Sequence, residues 1–183
     1  MSYVEDLIDS YRRYVRLPWQ DNLAGDQKVW MVVYPPEYER RVRLHVEEFA
    51  TTTAQAGHAW QLIDITISFE RWLGAHEYAA EYFDEPELLN AKPFFDHLVD
   101  EVKDQLASVE DAHTVVGLLG AGTLFGLGDR VKVSALLNNV SEQITGRLLV
   151  FFPGQYDLNT YRLLNARDGW NYLATPIAVN GGK

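Results

Sequence analysis

Two kinds of apolar spacing alternate along the chain. Across residues 3–16, Val4, Leu7, Ile8, Tyr11, Tyr14 and Val15 recur three and four apart, which predicts an amphipathic helix. Pro18 ends it, because proline lacks an N–H and forces its predecessor out of the helical region. Residues 28–34 (KVWMVVY) are instead a short, nearly unbroken apolar run bounded by a glycine-containing loop and by Pro35 and Pro36. Such a run fits a strand covered on both faces. Helical spacing returns over 37–56 through Tyr38, Val42, Val46 and Phe49, with Gly57 placed to cap the C-terminus.

The same alternation continues downstream. Residues 60–67 (WQLIDITI) predict a second strand. A long helical region over 69–110 follows, broken near Asp84, Glu85 and Pro86 and again near Lys92 and Pro93. Phe94, Leu98, Val102 and Leu106, each four apart, give its last helix one apolar stripe. Residues 113–119 (HTVVGLL) form the third predicted strand and 131–145 a helix ended by Gly146. Residues 147–152 (RLLVFF) form the fourth strand. Pro153, Gly154, Gln155 and Tyr156 are expected to turn the chain into a hairpin-like stretch over 161–177, with 178–183 frayed. Four apolar runs alternating with helices predict a single α/β domain over 1–183. It is a three-layer sandwich in which a mostly parallel sheet of four to five strands is flanked by helices. The 69–110 excursion is longer than one crossover needs.

Composition narrows the classes. With 183 residues, 47% apolar and 23% charged, the chain can bury a sizeable core, and wholesale disorder is excluded. No apolar stretch is long enough for a membrane helix, and the opening MSYVEDLIDSYRRYV is too polar for a secretory leader. The expected compartment is the cytoplasm. There are no cysteines, which removes disulfides, thiolate metal sites and cysteine nucleophiles. The net charge of −10 is concentrated: residues 77–111 hold eleven Asp/Glu against two Lys, whereas 112–183 carry a small positive excess. That balance weighs against nucleic acid as a partner, because phosphate contacts need cations. The acidic segment reads as a solvated helical face or as a docking face for a basic partner.

In an open parallel sheet, ligands gather beyond the C-terminal strand ends. Those ends bring forward Tyr34 and Glu37, then Asp64 and Thr66, then Gly120, Gly122 and Thr123, then Gly154 and Tyr156. No nucleotide motif survives inspection. Phe125 stands where a dinucleotide loop needs its last glycine. Thr123 and Leu124 stand where a phosphate loop needs Lys-Ser/Thr after Gly117 to Gly122. A glycine-rich turn packed against its neighbours is the simpler reading, with a degenerate nucleotide pocket as the alternative. His45, His58, His76, His97 and His113 show no metal-ligand spacing, so neither a metal nor a cofactor is expected. The densest polar grouping is Arg162, Asn165, Arg167, Asp168 and Asn171, flanked by Tyr156, Tyr161, Trp170 and Tyr172. It reads either as a tight turn or as an arginine-aromatic surface of the kind that concentrates interface energy.

Two segments, HTVVGLLGAGTLFGLGDRVKVSALLNNV and RLLVFFPGQYDLNTYRLLNARDGWNYLATPI, resemble the BrxB-type small proteins of BREX (bacteriophage exclusion) defence systems, and VWMVVYPPEYERRVR is similar in style. The positions that carry the likeness are Gly120, Gly122, Leu124, Phe125, Pro153, Gly154, Tyr156, Tyr161 and Arg162. The resemblance implies a cytoplasmic antiviral defence component with no catalytic residues to transfer. Its implied partners are other BREX chains, such as a PglZ-like phosphatase-fold protein and an ATPase. The expectation is therefore a non-catalytic assembly factor. Nucleotide binding through the degenerate loop and nucleic-acid binding through Arg162 and Arg167 stand as alternatives.

Overall fold

The computed structural model of the chain describes residues 2–86, 90–127, 131–164 and 169–179. Helix α1 (Tyr3–Val15) opens on a capping box in which the Ser2 hydroxyl accepts from the Glu5 amide and the Glu5 carboxylate accepts from the Ser2 amide. Strand β1 (Val29–Tyr34) follows, then a 3₁₀ turn Pro36–Tyr38 and helices α2 (Glu39–Leu44) and α3 (Val46–Gln55). The helix predicted over 37–56 is thus interrupted at His45. Gly57, at φ +87°, closes α3 as expected.

Strand β2 (Ala59–Asp64) leads to α4 (Ser68–Ala75), α5 (Ala79–Asp84) and α6 (Lys92–Ala107). Pro93 lies in the first turn of α6, where its missing N–H costs nothing. Strand β3 (Thr114–Leu119), a 3₁₀ segment Ala121–Leu127 and α7 (Val133–Val140) precede β4 (Arg147–Asp157). The short strands β5 (Thr160–Leu163), β6 (Trp170–Asn171) and β7 (Thr175–Ile177) complete the sheet.

Five strands run parallel in the order β2-β3-β4-β1-β7, and β5 and β6 pair antiparallel off β4. The central runs are apolar throughout because both faces are covered. Trp30, Val32, Tyr34, Leu149 and Phe151 pack against α1, α2 and α3. Their alternates Val29, Met31, Val33, Leu148, Val150 and Phe152 pack against α6 and α7. The predicted stripe Phe94, Leu98, Val102 and Leu106 lies wholly in that second layer.

One local expectation fails. Pro153 and Gly154 do not turn the chain; β4 runs straight through them to Asp157. The reversal falls at Leu158 and Asn159, with φ of 48° and 67°. This is the two-residue hairpin geometry that matches strand twist. Leucine is a poor left-handed residue, and Leu158 is 87% exposed, so nothing in its side chain advertises the turn.

Candidate functional site at the C-terminal edge of the sheet

The crossover from β1 to β2 covers one face of the sheet, and those from β2 to β3 and β3 to β4 cover the other. The order of connection therefore reverses between β1 and β4, where doubly wound sheets open a crevice. At this edge a continuous polar chain runs from β1 to β2. The Tyr34 hydroxyl donates to Glu39 Oε2 at 2.5 Å. Arg43 Nε lies 3.2 Å from Glu39 Oε1, one helical turn on. Arg43 Nη2 donates to Thr66 Oγ1 at 2.6 Å, and Nη1 stands 3.9 Å from Asp64 Oδ2. The Thr66 hydroxyl donates in turn to Asp64 Oδ1, which also accepts from the Thr66 amide at 2.9 Å.

The local fold explains each placement. Pro35 and Pro36 stop β1, and α2 then presents Glu39 and Arg43 on one face, four residues apart. Asp64 is the last residue of β2, so its carboxylate caps the turn that follows. Burial, and then the charge of Glu39, push the Tyr34 hydroxyl well above the usual tyrosine range, so it remains a donor. Arg43 and Glu39 are half-buried, whereas the Asp64 side chain is 46% exposed.

The glycine turn after β3 closes the edge from below. Gly120 sits at φ +105° against Thr66, and the Thr123 hydroxyl donates to the Gly120 carbonyl at 2.6 Å. A Cβ on Gly122 would meet Pro153 Cγ at 3.1 Å and Leu164 at 3.9 Å. A 3₁₀ segment, not an α-helix, follows Gly120, so the turn has no α-helical N-terminus to direct at a phosphate.

The remaining predicted residues separate into a second group. Tyr161 is a core residue whose hydroxyl donates to the Ala174 carbonyl at 2.7 Å. Tyr156 packs against it with ring centres 4.8 Å apart and donates to Asn159 Oδ1 at 2.9 Å. Gly154 lies against the Arg162 carbonyl, where a side chain would collide. Arg162 is half-buried, and its Nε has no protein partner. Glu37 is exposed. Asn171 lies in β6 opposite Thr160, while Arg167 and Asp168 fall outside the described residues. Sequence reasoning named Asp64 and Thr66 as a strand end but missed Glu39 and Arg43. Their signal was the i, i+4 acid-base pair directly after the proline stop.

Among the described residues, no group of three or more His, Asp or Glu gathers as a metal site would, and no helix is long and apolar enough to cross a membrane. The chain matches no known protein family, no curated protein and no solved structure.

Proposed function

We propose that this protein is a non-catalytic, cytoplasmic component of a BREX-type antiphage defence system that acts by binding and helping to assemble other components. The observation that carries this reading is the self-paired rim. Glu39, Arg43, Asp64 and Thr66 pair with one another at the edge where an α/β enzyme would turn such groups toward substrate. The family resemblance supplies the defence setting and the expected partners, a PglZ-like phosphatase-fold protein and an ATPase.

Two surfaces suit docking. On the helical excursion, exposed Tyr78 and Phe83 lie in sequence among exposed Glu77, Glu81, Asp84 and Glu85, and α6 carries exposed Asp96, Asp100 and Asp104. Aromatic anchors flanked by acids fit a partner with a basic, partly apolar face. The β4–β5 hairpin offers Arg162 on one face and, on the other, Tyr156 packed against Tyr161.

The test is co-purification of the PglZ-like and ATPase components with the wild type, a Tyr156→Ala/Arg162→Ala variant and a Tyr78→Ala/Phe83→Ala variant. Loss of one partner with either variant supports the reading and assigns the surface. Equal recovery of every partner by all three forms removes both surfaces. Binding of ATP with Mg²⁺ in calorimetry at millimolar ligand would favour a degenerate nucleotide site instead.

A further inference from the structure

The opposite, N-terminal edge of the sheet holds a cavity of about 370 Å³ lined by Tyr14, Trp19, Trp30, Arg147, Leu173 and Thr175, among others. Arg147, the first residue of β4, is only 6% exposed. Its Nη1 donates to the Gly146 carbonyl at 3.0 Å and its Nη2 to the Gln20 carbonyl at 2.8 Å. Among the described residues no carboxylate lies within ion-pair distance of it. The charge of nearby Asp21 favours the charged guanidinium from beyond ion-pair distance, but the group itself bonds only to neutral carbonyls, and a buried charge so placed in a cavity wall is matched best by an anion. Burial lowers the guanidinium's proton affinity, yet arginine stays charged in proteins.

The walls define the rest of the ligand. Trp19 lies under the guanidinium, with Cζ 4.9 Å from its ring centre, and stacks on His58 at 3.8 Å. Trp30 meets Trp19 edge-on at 5.5 Å and Tyr14 at 4.9 Å. The Tyr14 hydroxyl donates to Thr175 Oγ1 at 3.2 Å, which places hydroxyl groups in the same wall. Among the described residues Arg147 is the lining's one cation, so a ligand with a single negative charge suits it. A planar carboxylate also fits the guanidinium fork. The volume lies within the range of small-ligand sites.

We propose that this cavity binds a carboxylate carried on a flat apolar body, with Arg147 as the anchor and Trp19 and Trp30 as the walls. The carboxylate belongs either to a small aromatic acid or to the C-terminus of a peptide.

Trp19 and Trp30 make the site self-reporting. The wild type is titrated with indole-3-acetate and, in parallel, with neutral indole-3-acetamide, following tryptophan fluorescence. Saturable quenching by the acid, with the amide about tenfold weaker or more, is expected. Arg147→Met should lose the difference between the two probes. Equal binding of acid and amide by the wild type, or no saturation by low millimolar acid, overturns the proposal without need of a variant. A short peptide ending in Trp, with a free or an amidated C-terminus, distinguishes the sources. Preference for the free peptide over indole-3-acetate points to a partner's chain end, and the reverse to a small molecule.

Discussion

Gly120 and Thr66 meet across the ends of β3 and β2 so closely that a Cβ on Gly120 would stand 2.6 Å from the Thr66 backbone nitrogen. Gly120 also has φ +105°, a region closed to ordinary side chains. A side chain at Gly120 would displace Thr66, which accepts from Arg43, so the absence of one there lets the β2 end of the polar rim form.

Gly120→Ala is therefore expected to cost about 2 kcal/mol or more, from backbone strain and displacement of the Thr66 turn together. Gly126→Ala is the control. A Cβ there meets nothing within 4 Å, and the change should stay within about 0.5 kcal/mol. Urea unfolding of both variants measures the difference, and equal midpoints would refute the steric account.

A second prediction concerns the buried bond between α1 and α3. Tyr11 Oη and Thr53 Oγ1 lie 2.5 Å apart, both fully buried. Thr53 donates its own hydrogen to the Phe49 carbonyl at 2.8 Å, so Tyr11 must be the donor between them. Tyr11→Phe leaves Thr53 with one satisfied bond and should cost about 1 kcal/mol. Thr53→Val strands the Tyr11 hydroxyl without a partner and should cost about 2 kcal/mol. The double variant should lose less than the sum, because both changes remove one interaction. Strict additivity in denaturant unfolding would show that the bond contributes nothing.

The acid limb of stability should carry a histidine signature. Burial first, then the nearby charges of His113 and Arg147, lower the proton affinity of His58. The folded protein thus holds His58 neutral more strongly than the unfolded chain does. Its contribution is complete above about pH 6.5 and is lost as pH falls through and below that value. His58→Phe keeps a flat ring against Trp19 but cannot titrate, so its unfolding free energy should vary less between pH 7.5 and 5.5 than the wild type's. An unchanged slope would remove His58 from the acid response.

The alkaline limb has the opposite sign. Tyr11, Tyr34 and Tyr161 are all raised, chiefly by burial, so the folded state retains protons that the unfolded chain releases. Stability is full below about pH 10 and falls above it. Near-ultraviolet titration should show these hydroxyls ionising together with unfolding, not before it.

Much of the architecture was legible in the residues. The unbroken apolar runs at 29–34 and 147–152 announced strands covered on both faces, and the four-residue stripe from Phe94 to Leu106 announced its helix. Prolines marked the ends of α1 and β1 because a missing N–H acts locally. The hairpin was misplaced for the same reason. Pro153 and Gly154 carry a turn signature, but pairing with Tyr34 and Leu163 holds them extended, and the reversal passed to Leu158 and Asn159.

The sequence by itself determined the layering and the cores of the four main strands, since side-chain period and backbone stereochemistry are properties of neighbouring residues. Only the tertiary structure decided that Arg43 reaches Thr66 across 23 positions of chain, and that Arg147 shares a cavity with Trp19 and Thr175. Strand order sets which ends lie side by side, and strand order follows from how the two apolar faces are covered by the whole chain at once.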